Sequence, residues 1–137
     1  MKTRLLLLLM ISFPFILSAQ RNHEAQKPFI GTWKFSHKSK TSEFNKVFNS
    51  DEIRYEYFTF ESNGKFIHHL QNKDGQTVKV LCGKWKSLND KISISYTDID
   101  YKLQVDYFFI DKDLVLGQHF NHVVFTKGDL EYNVAMK

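Results

Sequence analysis

From Phe29 onward the chain alternates apolar and polar residues with a period of two, in short runs separated by clusters of Asn, Asp, Gly and Ser. Successive side chains of an extended strand point to opposite faces, so this period predicts strands rather than helices. Eight runs qualify, over residues 30–37, 53–61, 65–70, 76–87, 91–97, 101–110, 114–119 and 122–127. The cleanest sets Ile92, Ile94 and Tyr96 against Lys91, Ser93 and Ser95. Asn63-Gly64 and Asp74-Gly75 supply residues that tolerate positive φ in tight hairpins. Leu88-Asn89-Asp90, the stretch 98–100, Asp111-Lys112-Asp113 and Phe120-Asn121 break the remaining runs.

Strands joined by tight turns pair with their sequence neighbours in antiparallel fashion. Eight of them bury their edges by closing on themselves, which predicts an all-β, eight-stranded antiparallel up-and-down β-barrel. A two-sheet sandwich is the alternative, but it needs long crossovers, and only 38–52 is long enough. In the first strand Gly31, Trp33, Phe35 and His37 share a face, and the two aromatics set that face inward. Trp33 is expected to plug one end of the barrel, Gly31 to let another backbone come close, and His37 to lie on the inner face or at the mouth. In the fourth strand Val78, Val80 and Cys82 alternate until Gly83, after which Trp85 falls on the opposite parity. If both groups face the core, a bulge at Gly83 shifts the phase and places Cys82 inside.

The stretch 38–52 has no period of two. Its apolar residues Phe44, Val47 and Phe48 are spaced i, i+3, i+4, as on one side of a short helix. A connection of this length is expected to be a flap over the barrel mouth, with a plain solvated loop as the alternative. Residues 128–137 are a mixed tail, loose or forming one short helical turn.

The N-terminus has a different pattern. Lys2 and Arg4 precede an apolar run broken by Ser12 and Pro14, and Leu17-Ser18-Ala19 offers a small residue before Gln20. This is the layout of a secretory signal peptide over 1–19, followed by a loose arm over 20–28. The run is shorter than the roughly 20 residues that span hydrocarbon, so an uncleaved anchor is the lesser alternative. No Cys stands at position 20 to carry a lipid. The protein is therefore expected to be exported, to the periplasm or beyond, as one domain with no stable membrane anchor.

The net charge of +4 counts Lys2 and Arg4, so the mature chain is closer to neutral. Lys34, Lys38, Lys40, Lys46, Lys84 and Lys86 are dispersed among acids and hydroxyls, a pattern that argues against nucleic acid as a partner. Cys82 is the only cysteine, so the core has to hold the fold without an internal disulfide. Aromatic residues make up 15% of the chain, and with 13 Phe among them a packed β core or an aromatic-lined cavity is expected.

Candidate chemistry is sparse. His68 and His69 are adjacent on a strand and point to opposite faces, so they cannot share one site unless the strand is bulged. His119 and His122 flank a turn but lack a carboxylate or thiolate partner for zinc, and neither a metal nor another cofactor is expected. There is no Gly-x-Ser-x-Gly elbow, and a strand Cys82 lacks the electropositive setting of a reactive thiol. No catalytic residue is assigned. Glu56 shares parity with Phe58 and Phe60, which points it inward as a polar anchor or general acid; the more ordinary expectation is a rim carboxylate paired with Arg54 or a Lys.

Several motifs carry a family resemblance: Gly31-Thr32-Trp33 opening the first strand, Tyr57-Phe58-Thr59-Phe60-Glu61-Ser62-Asn63-Gly64-Lys65-Phe66 as a hairpin, Gly83-Lys84-Trp85 followed by Leu88-Asn89-Asp90-Lys91-Ile92, and the closing Val123-Val124-Phe125-Thr126-Lys127. In their order and spacing the chain resembles the lipocalin-like domain family of small secreted bacterial proteins. The resemblance implies that Lys127 lies against Trp33 at the closed base, where an Arg is the usual residue, and that the barrel binds a small, mostly apolar molecule. The inner-face pattern then offers Tyr57, Tyr96, Leu103, Val105 and Tyr107 as lining, with Phe44, Val47 and Phe48 on the flap. Several buried hydroxyls favour a wet pocket, or a polar ligand head, over a dry core. A protein-interaction or inhibitor module displayed on the barrel loops is the second reading, and an isomerase or hydrolase a distant third.

Overall fold

A computed structural model describes residues 27–38, 52–118 and 121–130. A short 3-10 helix, Lys27–Phe29, leads into β1 (Gly31–Lys38), β2 (Tyr55–Phe60), β3 (Lys65–Gln71), β4 (Thr77–Leu88), β5 (Lys91–Tyr96), β6 (Lys102–Ile110), β7 (Asp113–Gln118) and β8 (Asn121–Lys127). Every strand pairs antiparallel with its sequence neighbour, and β1 pairs with β8 to close an eight-strand barrel. The expected architecture is therefore the observed one. The candidate flap residues Phe44, Val47 and Phe48, His119, and the stretch 1–19 lie outside the described residues.

The closed end is built around two aromatic residues. Trp33 is buried, its indole N–H donates to the Phe29 carbonyl at 2.7 Å, and the single polar atom of the plug is thereby satisfied. The 3-10 helix drops the Phe29 ring into the base, with ring centroids 4.5 Å from Tyr107, 5.3 Å from Phe109, 5.6 Å from Trp85 and 5.8 Å from Phe60. Lys27 and Pro28, expected in a loose arm, belong to this helix, because a fully buried Phe29 anchors it. The Lys127 ammonium sits 4.1 Å from the centre of the Trp33 ring and donates to the Ile30 carbonyl at 2.7 Å. Gly31, at φ 123°, makes room for it, since an added Cβ would stand 2.7 Å from Lys127 Nζ. Partial burial holds the Lys127 pKa below the ordinary lysine value, and the aromatic face and carbonyl replace part of the lost water.

Three orientations differ from those the alternation predicts. β4 carries no register shift at Gly83; Leu81 and Trp85 face the core, while Val78 and Val80 are exposed and Cys82 shares their outer face. Valine favours any pleated surface, so an alternating Val-Val-Cys run marked the strand but not its inner side. The glycine is needed for closeness, because a Cβ at Gly83 would collide with the Ser95 carbonyl of β5. In β1 the register against β8 slips between Phe35 and His37, which turns His37 out to solvent beside Ser36. Tyr57 is fully buried but lies on the face of β2 opposite Phe58 and Phe60 and outside their core cluster, with Lys34 of β1 5.8 Å from its ring centre.

Candidate functional site

Inside the barrel, strand alternation brings three polar residues together within the aromatic interior. Phe66, His68 and Leu70 share the inner face of β3, Glu56 shares that of β2 with Phe58 and Phe60, and Tyr96 ends the inner row Ile92, Ile94, Tyr96 of β5. His68 is fully buried. Its Nε2 lies 2.5 Å from Glu56 Oε1 and its Nδ1 lies 2.9 Å from the Tyr96 hydroxyl. The rings of Phe58, at 4.7 Å, and Phe66, at 6.3 Å, wall the imidazole in.

The proton positions follow from Tyr96. Burial, reinforced by the charge of Glu56 and by Tyr101, pushes its phenol pKa well above the ordinary value, so the hydroxyl keeps its proton. It donates to His68 Nδ1, and Nε2–H in turn donates to the Glu56 carboxylate. This chain satisfies both ring nitrogens and ends on a carboxylate whose side chain is 20% exposed, two residues along β2 from Phe58, the partner of Trp33. Chemically it offers an anchored anion backed by a hydrogen-bonded relay. Cys82, the one cysteine of the chain, faces outward, away from these three residues. Among the described residues no group of three His, Cys, Asp or Glu could hold a metal ion.

Of the candidate lining residues, Tyr96, Leu103, Val105 and Tyr107 pack against or within the core cluster. Tyr57 does not join them. The hydroxyl argument changes as well, because Tyr96 is satisfied by His68 and Tyr107 donates to the Asn89 carbonyl at 3.2 Å, so neither requires a wet pocket. Glu56 takes the inward of its two expected orientations and pairs with His68 rather than with Arg54 or a Lys. Sequence reasoning left His68 out of the lining, although its parity with Phe66 and Leu70 was the available signal. The adjacent His69 points outward to Thr77 Oγ1 at 2.7 Å, and burial lowers its pKa.

The outer wall carries a cleft of about 580 Å³ lined by His37, Phe108, Ile110, Val115, His122 and Val124. Phe108 and Ile110 are 44% and 55% exposed there.

A comparison with curated proteins returns no match, and neither does one with solved structures. A family model described as a lipocalin-like domain matches residues 29–116, from the Phe29 plug to the inner face of β7. The closed eight-strand meander, with Trp33 at its base, agrees with that match, and the chain belongs to the lipocalin-like domain family.

Proposed function

We propose that this chain is an exported barrel that binds one small amphipathic molecule in its interior, with a hydrogen-bond donor of the ligand at Glu56 and its apolar body against Phe35, Leu103 and Val105. The observation that carries this reading is the Glu56–His68–Tyr96 chain in an otherwise aromatic interior. A buried hydrogen-bonded polar cluster adds little to stability compared with apolar residues of similar volume, so three polar groups in a core ask for a use. Glu56 Oε1 is occupied by His68, and the remaining exposure of the carboxylate leaves it open to a donor such as an amine or hydroxyl. Phe35, Leu103 and Val105, turned inward but only partly buried, supply apolar surface. Export follows from the basic and apolar character of residues 1–19.

A hydrophobic fluorescent probe bearing an amine, titrated against the protein, tests the reading. Saturable binding at one site, weakened about tenfold or more by Glu56→Gln or Leu103→Ala, is expected, since a charge-assisted hydrogen bond contributes about 1.5–3 kcal/mol. Absence of saturable binding refutes it. The second reading, a protein-interaction module, draws on the exposed Phe108 and Ile110 of the outer cleft. In that case Phe108→Ser and Ile110→Ser abolish partner capture and leave the probe titration unchanged.

A further inference from the structure

On the outside of the barrel, β3, β4 and β5 form a groove of about 680 Å³ lined by Lys65, Lys84, Lys86, Ser93, Ser95 and Thr97. In sequence these lysines are dispersed, but pairing collects them. Lys65 stands directly opposite Lys84, Lys84 opposite Ser95, and Ser95 opposite Lys102, so three lysines and a serine form one row across four strands. Lys86, opposite Ser93, lies two residues along β4. Neighbouring strands are about 4.8 Å apart and alternate residues about 6.8 Å, so Lys84 has two ammonium-bearing neighbours within one side-chain length.

Like charges directly opposite one another on a sheet are destabilising. Elsewhere on this barrel a lysine is neutralised: Lys91 meets Asp106 at 2.7 Å. Among the described residues no ion pair involves Lys65, Lys84, Lys86 or Lys102. The nearby carboxylate, Asp98, is turned to the Cys82 backbone N–H at 2.6 Å. With three lysines and one such carboxylate, the groove keeps a net positive charge beside a row of hydroxyls.

We propose that this groove binds an acidic polysaccharide, with the lysines on its carboxylate or sulfate groups and Ser93, Ser95 and Thr97 on its hydroxyls. Single-stranded nucleic acid fits less well, because such sites stack bases on exposed aromatic rings and the one aromatic lining residue, Trp85, is 5% exposed with its indole N–H donating to the Glu61 carbonyl. The concavity also disfavours a flat membrane surface. This site is separate from the interior one and stands whether or not the interior binds a ligand.

The test is binding of the purified protein to heparin fragments and to polygalacturonate, at low and at raised salt. Saturable binding that weakens with salt is expected, with a loss of about tenfold or more in a Lys65→Gln, Lys84→Gln, Lys86→Gln triple variant, because each lysine removed forfeits one counterion-releasing contact. A control triple, Lys73→Gln, Lys79→Gln, Lys112→Gln, changes net charge equally at exposed positions away from the groove and should retain the affinity. The groove triple should also unfold no earlier than the wild type, since it relieves repulsion. Equal losses in both triples, no binding to either polymer, or tighter binding to single-stranded DNA or to anionic phospholipid vesicles would each overturn the proposal.

Discussion

Trp33 shows how one side chain organises its surroundings. Its body is buried against Phe109, its N–H is taken by the Phe29 carbonyl, and its open face is covered by the Lys127 ammonium. Removing a large buried aromatic costs about 3–5 kcal/mol, so Trp33→Ala and Phe29→Ala should each lower the chemical unfolding free energy by that amount. Because the two residues share one contact network, the double variant should lose less than the sum. Tyr96 supplies a pH signature. The unfolded chain ionises this phenol near its ordinary value of 10.0, whereas burial keeps it protonated in the folded barrel. The unfolded state therefore loses the proton first, and stability present below that pH falls as pH rises beyond it. Unfolding midpoints measured across the alkaline range should decline for the wild type and decline less for Tyr96→Phe.

Strands were legible in the sequence because two independent signals agreed: alternation inside each run, and Asn-Gly, Asp-Gly or Asn-Asp between runs. Facing was less legible, and for physical reasons that differ between elements. β1 slips by a residue against β8, which no local composition announces. β4 carries apolar residues on its wet side, so hydrophobicity alone pointed the wrong way for Val78, Val80 and Cys82. In β2 the aromatic residues Tyr57 and Phe58 are neighbours, and only the packing of Phe58 on Phe125, with ring centroids 4.6 Å apart, decides between them. Gly83 yields a prediction on this scale. A methyl group there must push β5 away at Ser95, and overpacking of this kind costs about 1–3 kcal/mol, so Gly83→Ala should lower the unfolding free energy within that range while far-ultraviolet circular dichroism remains β-type.

For the molecule as a whole, closure at β1 and β8 leaves no strand of the barrel unpaired, and aromatic residues fill its base. The polar chain of Glu56, His68 and Tyr96 was only half legible, because its three members come from different strands, and parity reveals direction but not partnership. If that chain serves a ligand rather than the fold, replacing it with apolar residues of similar volume should separate the two properties. The triple variant Glu56→Leu, His68→Phe, Tyr96→Phe should unfold at the wild-type midpoint or above it, as buried polar clusters replaced by apolar groups often do, and should lose ligand binding. Native mass spectrometry of the protein recovered from the cells that make it tests the central claim most directly. The account predicts one small molecule retained per chain in the wild type and none in Glu56→Gln or the apolar triple variant; a wild-type chain at its bare polypeptide mass that also fails to bind the amine probe, or an adduct retained equally by all three proteins, would contradict it.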